Sequence, residues 1–86
     1  MEQTAYLGIF IKKFRRSKNI AQLELARSIN LEFKDIVAIE NNRKKVNILT
    51  IIQIERVLCI EEQLLQEIFE LQLLYIHAVK TLELNS

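Results

Sequence analysis

Hydrophobic side chains recur at helical spacing along most of this chain. Near the start, Leu7, Ile11 and Phe14 are separated by four and three residues, which predicts an amphipathic helix over Tyr6–Lys18. Its outer face carries four cations, which form either a solvated face or part of a polyanion-binding surface: Lys12, Lys13, Arg16 and Lys18. No periodic pattern precedes this helix, and we expect residues 1–5 to be frayed.

Two short helices are predicted next, at Gln22–Ser28 and Phe33–Asn41, with Asn30 in a tight turn between them. Their inward-facing positions hold Leu25, Ala26, Ile29, Ile36 and Ile39. Two helices joined in this way, with the second partly exposed, form a helix-turn-helix unit. We expect neither of these two helices to have a strong amino-terminal cap. Asparagines also stand at the two neighbouring chain reversals, at positions 19 and 42, and asparagine tolerates the left-handed conformation that such reversals need.

Two further helices complete the pattern. Asn47 is a favourable cap for a helix that runs from Ile48 to Leu58. The segment from Glu61 to about Leu84 is a long helix with two apolar stripes. One stripe has the four-and-three spacing of a helix-to-helix seam: Leu64, Ile68, Leu71, Tyr75, Ala78 and Leu82. It predicts a dimer interface, although a helix folded back over its own domain would also explain it.

Composition agrees with an all-α protein, because leucine, isoleucine, lysine and glutamate dominate and proline is absent. The 86 residues are enough for a single domain, 1–86, whose core we predict at 6–65 and whose dimerisation helix we place at about 61–84. A core of this size is often completed by a partner chain.

The charge is divided along the chain. Residues 1–60 carry eleven basic and six acidic side chains, a net charge of +5, whereas residues 61–86 carry one basic and five acidic side chains, a net charge of −4. The first two-thirds therefore suit a polyanion such as DNA, and the remainder does not. This division of charge predicts that the two parts of the chain have different tasks.

Nothing in the sequence indicates an enzyme, a cofactor or a metal site. One cysteine and one histidine, Cys59 and His77, fall short of a zinc site, and no glycine-rich phosphate loop is present. Cys59 is interpreted as a core or joint residue, and His77 as a surface or interface residue. No signal peptide is evident, and no uncharged run approaches the about 18 residues of a spanning helix, so no membrane association and a cytoplasmic location are expected.

Residues 7–65 resemble the phage-repressor and Cro-like helix-turn-helix family, also called the xenobiotic-response-element type. The matching residues, in register without insertion, are Leu7-Gly8, Ile11, Arg15, Gln22, Leu25-Ala26, Ile36, Ile39-Glu40, Thr50, Ile54 and Leu58-Cys59-Ile60. The resemblance implies a compact domain of four or five helices that binds operator DNA as a homodimer, with the helix at about 33–41 in the major groove.

The resemblance also implies roles for particular residues. Gln22 and the polar loop after the third helix match positions that contact phosphate, which sets register and affinity without reading sequence. The loop residues are Asn41, Arg43, Lys44 and Lys45. Arg15 and Glu40 match a buried ion pair that joins the first helix to the end of the third.

The positions that would face base edges are Phe33, Lys34, Val37 and Ala38. Lys34 suits guanine, whereas Phe33 or Ala38 suits a thymine methyl group. Glu32 could accept from cytosine or repel the backbone, and Asp35 adds a second carboxylate. Two alternatives follow: part of the readout rests on DNA shape, or sequence-specific binding has been lost.

Two functions follow. The first is a homodimeric, sequence-specific transcriptional regulator, such as a restriction–modification controller, a phage switch or an antitoxin. The second is a protein-interaction module on the same scaffold, an antitoxin or an inhibitor of another regulator, which the two acidic residues of the third helix and the acidic, leucine-rich tail favour.

Overall fold

Five α-helices account for most of the computed structural model, which describes residues 3–85 without the side chains of residues 62, 84 and 85. The helices are α1 (Gly8–Ser17), α2 (Gln22–Ser28), α3 (Phe33–Glu40), α4 (Ile48–Leu58) and α5 (Leu64–Asn85). A 3-10 turn at Glu61–Gln63 leads into α5. The predicted all-α fold is confirmed, and the helix boundaries differ from the predicted ones by at most about three residues.

A short pair of strands ties the start of the chain to the loop after α3. Strand β1 (Thr4–Ala5) pairs antiparallel with β2 (Val46–Asn47), with Thr4 opposite Asn47 and Ala5 opposite Val46. Ala5 and Val46 are both buried. The prediction of a frayed start is therefore wrong for Thr4 and Ala5, because their backbone partners lie far along the chain and leave no local pattern. Residues 1 and 2 lie outside the described part.

The helix ends follow the predicted chemistry at three asparagines. Asn19, Asn30 and Asn42 have φ values of 57°, 59° and 56°, which confirms the left-handed reversals. The Asn47 carboxamide oxygen accepts the Thr50 N–H at 2.9 Å, which confirms the cap of α4. Cys59 ends α4 with φ of 52°, so it lies at a joint, but its side chain is exposed and does not belong to the core.

The core extends further into α5 than the predicted boundary at residue 65. Leu65 and Phe69 are buried together with Ile51, Ile54 and Leu58 of α4. These two α5 residues belong to one of the apolar stripes of that helix. The first two turns of α5 therefore serve the fold as well as any partner, and removal of α5 would take two side chains out of the core.

Glu55 fixes where α5 begins, a role that was not predicted. Its side chain is buried, and Oε2 accepts the N–H groups of Leu65 at 2.9 Å and Gln66 at 3.3 Å. Oε1 accepts from the Gln66 side-chain amide at 2.6 Å. A carboxylate at this position satisfies free N–H groups of the first turn and interacts favourably with the helix dipole. Glu55 thus joins α4 to α5 in one orientation.

Candidate DNA-binding surface

The α2–α3 pair presents the outer face of α3 to solvent. Ile36 and Ile39 are buried beneath it, whereas Phe33 is 50% exposed and the Lys34 side chain is 82% exposed. Val37 and Ala38 are half-buried between these two sets. Of the four predicted base-facing residues, the first two therefore stand out from the surface and the other two form a shallow apolar floor beside them.

A buried ion pair holds α3 against α1. Arg15 Nε and Nη2 donate to the two Glu40 carboxylate oxygens, at 2.6 and 2.9 Å, and Arg15 Nη1 donates to the Ile20 carbonyl at 2.8 Å. Such bidentate geometry is the strongest form of the arginine–carboxylate contact. The structure thus brings together the two residues that the family resemblance pairs.

Gln22 takes part in the same network. Its side-chain amide nitrogen donates to Glu40 Oε1 at 3.0 Å, and the residue is half-buried at the first position of α2. This contact links α2 to the ion pair. The Glu40 carboxylate of α3 therefore accepts hydrogen bonds from both α1 and α2. Gln22 therefore has a structural contact at the position for which a phosphate contact was predicted.

Asp35 stabilises the start of α3. Its Oδ2 accepts the Glu32 N–H at 3.1 Å, and Oδ1 accepts from Lys44 Nζ at 3.0 Å. The hydrogen bond from Lys44, followed by that from the Glu32 backbone, holds the pKa of Asp35 below its ordinary value. The expectation that this helix lacks a strong cap is wrong, because an acidic residue three positions after Glu32 returns to its N–H as in a capping box.

The other acidic residue near α3 has its own cation. Glu32 Oε2 and Lys34 Nζ are 3.2 Å apart, and both side chains are mostly exposed. An exposed pair of this kind contributes about 0–1 kcal/mol, so Lys34 can leave it for a different acceptor at small cost. The two carboxylates are thus each matched by a lysine within the surface itself.

The loop at residues 41–45 is exposed but well supported. The Arg43 and Lys44 N–H groups donate to the Ala38 carbonyl at 2.8 and 3.3 Å. Asn42 Oδ1 accepts the Gly8 N–H at 3.1 Å, and Lys45 Nζ lies 5.3 Å from the centre of the Tyr6 ring. These contacts hold the loop beside α3. Within residues 3–85, the Arg43 guanidinium makes no ion pair.

The predicted dimer stripe lies mainly on the uncovered side of α5. Ile68 is half-buried, and the other five residues are exposed: Leu64, Leu71, Tyr75, Ala78 and Leu82. Large adjacent apolar side chains left in water are typical of an association surface. The fold therefore leaves this stripe unused in a single copy.

The described residues form neither a metal-ligand cluster nor a membrane-spanning helix. Nowhere in this part of the chain do three His, Cys, Asp or Glu side chains come together as metal ligands. None of its helices has both the length and the apolar character needed to cross a membrane. Cys59 and His77 are both exposed and lie on separate elements.

The solved structures that are similar to this one include two regulators. The restriction–modification controller protein C.Esp1396I is 28% identical, with a TM-score of 0.63, over 78% of this chain and 88% of that chain. The clp gene regulator ClgR from Corynebacterium glutamicum is 21% identical, with a TM-score of 0.62, over 93% of this chain and 89% of that chain. No protein-family profile and no curated protein matches the sequence. The likeness to these two regulators confirms the expected helix-turn-helix fold and supports the resemblance of residues 7–65 to the phage-repressor and Cro-like family.

Proposed function

We propose that this protein is a sequence-specific DNA-binding transcriptional regulator that acts as a homodimer and places α3 in the major groove. The observation that carries the proposal is the joint exposure of Phe33 and Lys34 on α3 next to a supported basic loop. A helix-turn-helix dimer reads two half-sites about 34 Å apart, one turn of DNA. The similarity to a controller protein favours a small regulator of that kind.

The surface divides into residues that contact bases and residues that contact phosphates. Lys34 donates to guanine O6 and N7, whereas Phe33, with the floor of Val37 and Ala38, contacts a thymine methyl group. Asn41, Arg43 and Lys45 contact phosphates, and Gln22 does so with the second N–H of its side-chain amide, the first being donated to Glu40. Because Lys44 already pairs with Asp35, its contribution to phosphate binding is smaller than that of Arg43.

The alternative function, a protein-interaction module, drew its support from the acidic residues of α3. In the structure, Asp35 serves the helix start and Lys44, and Glu32 pairs with Lys34. Asp35 therefore presents no unmatched charge to a phosphate backbone, whereas Glu32 loses its partner when Lys34 donates to a base. The acidity of this helix is thus a weaker argument against DNA than the sequence alone indicates.

The proposal is tested by a gel shift with the DNA upstream of the protein's own gene, comparing the parent with Lys34→Ala. Loss of the base contact should weaken specific binding by about 1–3 kcal/mol and relax the preference at one base position. Arg56→Ala on α4, an exposed cation outside this surface, serves as the control. Equal binding of the operator and unrelated DNA by the parent would refute the proposal.

A second substitution separates phosphate contacts from base contacts. Arg43→Ala should weaken binding to every sequence alike and lower the slope of log K against log salt by about one, because one fewer counterion is released. Binding of specific and unrelated DNA would be titrated at several salt concentrations. If Arg43→Ala weakened binding to the operator alone, Arg43 would contact a base and not a phosphate.

A further inference from the structure

A groove between α1 and α5 is an uncovered apolar feature that neither the core nor the DNA-binding surface uses. Its volume is about 770 Å³, and its apolar lining consists of Ile9, Phe10, Phe14 and Ile68. Ile9 is 68% exposed, and Phe10 and Phe14 are only half-buried against the core. One copy of the chain therefore leaves a row of large α1 side chains in contact with water, which is typical of a surface that a second molecule covers.

The rim of the groove is strongly basic. Lys12, Lys13 and Arg16 of α1 line it together with Ser17. Within residues 3–85, none of the three cations makes an ion pair, since the pairs of this region involve Arg15, Lys34 and Lys44. An apolar floor with a cationic rim matches an amphipathic helix that combines leucines with carboxylates.

The chain itself carries such a helix face. Glu67, Glu70, Leu71 and Leu74 of α5 follow one another at helical spacing and share one side of the helix. Leu71 and Leu74 are 64% and 65% exposed, and both glutamates are exposed as well. This acidic–apolar face is the chemical complement of the α1–α5 groove: leucines for its floor and carboxylates for its rim.

We propose that the acidic–apolar face of α5 in one copy packs into the α1–α5 groove of a second copy, and that the second copy returns the same contact. The inference rests on the homodimer of the proposed function and adds α1 to its interface. Two such contacts related by a twofold axis close a dimer without leaving a free end. Ile68 belongs both to the groove and to the predicted α5 stripe, so the two surfaces are continuous.

Sedimentation equilibrium of the full chain tests the proposal through Ile9→Glu. A carboxylate in the apolar floor should raise the dimer Kd at least about tenfold, whereas Leu49→Glu should leave it unchanged. Leu49 on α4 is 67% exposed, almost the same as Ile9, and lies outside the groove. Because both side chains project into solvent in a single copy, neither substitution disturbs the core, and circular dichroism would verify retained helicity.

A charge exchange tests which part of the second copy enters the groove. The double variant Lys12→Glu/Lys13→Glu should raise the dimer Kd several-fold, because the rim would then repel Glu67 and Glu70. Combining it with Glu67→Lys/Glu70→Lys should return the Kd to within about threefold of the parent, since the pairs are restored with reversed sign. A general loss of stability would not be rescued in this way.

The outcomes separate this inference from the proposed function. A parent-like Kd for Ile9→Glu, together with dissociation by Leu71→Glu, would show a dimer made by α5 alone; it would overturn the role of the groove and leave the homodimer standing. Absence of rescue in the charge exchange would likewise overturn it. A parent chain that stays monomeric at every concentration would overturn both the inference and the homodimer.

Discussion

Replacement of Arg15 by alanine is expected to lower the free energy of unfolding by about 3–5 kcal/mol, because it breaks a buried ion pair and leaves one partner behind. The Glu40 side chain is 1% exposed, and only the Gln22 amide would remain to donate to it. A domain of this size has a total stability of about 5–15 kcal/mol, so the variant should be close to unfolding. Urea denaturation at fixed protein concentration measures the change.

The exposed pair of Glu32 and Lys34 supplies the matched control. Lys34→Ala also removes an ion pair, but both side chains are mostly in water, so the expected loss of unfolding free energy is below about 1 kcal/mol. Arg15→Lys should fall between the two, because lysine keeps the charge and cannot reproduce the bidentate fork. If Arg15→Ala and Lys34→Ala were equally stable, the buried network would not hold the three helices together.

Gly8→Ala is expected to destabilise the fold by about 3 kcal/mol, although alanine is the better helix former. A Cβ at this position would lie 2.3 Å from the Ile39 carbonyl oxygen and 2.7 Å from that of Glu40. Both are backbone atoms at the end of α3, and they cannot move without shifting α1 away from that helix. The higher helix propensity of alanine would stabilise the folded state by only about 1 kcal/mol. The steric overlap is therefore expected to outweigh it and to make the substitution destabilising. Thermal and urea denaturation would measure it.

The Asn42 side chain allows the cause to be identified. Its Oδ1 would also be 2.6 Å from the new Cβ, but it is a side-chain atom. In Gly8→Ala/Asn42→Gly this third overlap is removed while the two backbone overlaps remain, so stability should not return to the level of Asn42→Gly alone. Full recovery would mean that the side chain, not the backbone of α3, limits the space at Gly8.

The helices and their turns were predictable because the information is local. Spacing of Leu7, Ile11 and Phe14 is enough to define α1, and asparagine at 30 and 42 is enough to define two reversals. The candidate DNA-binding surface could be outlined for the same reason, since α3 and the following loop are contiguous in sequence. Its base and phosphate contacts remain predictions.

The features that were not predicted are of two kinds. Some depend on partners that are distant along the chain, and one depends on whether an acidic side chain caps its own helix or faces DNA. From the sequence, Glu55 is a charge at an unfavourable position on the inner side of α4. It becomes a cap only because the first turn of α5, which is distant in sequence, packs against it. Asp35 could have been recognised from its spacing after Glu32, but it was interpreted as a charge facing DNA. Strand β1 has only two residues, too few for any periodicity to appear.

The position of β1 has a consequence for how assembly and DNA affinity are connected. On one side, α5 packs against β1, and Gln3 borders a small cavity with Leu74 and His77 of α5. On the other side, β1 pairs with the residues that directly follow the basic loop. If α5 tilts when two copies associate as proposed, it moves β1, and β1 moves the loop. Association of the two chains and phosphate binding by each would then be thermodynamically linked, and each would strengthen or weaken the other by the same factor.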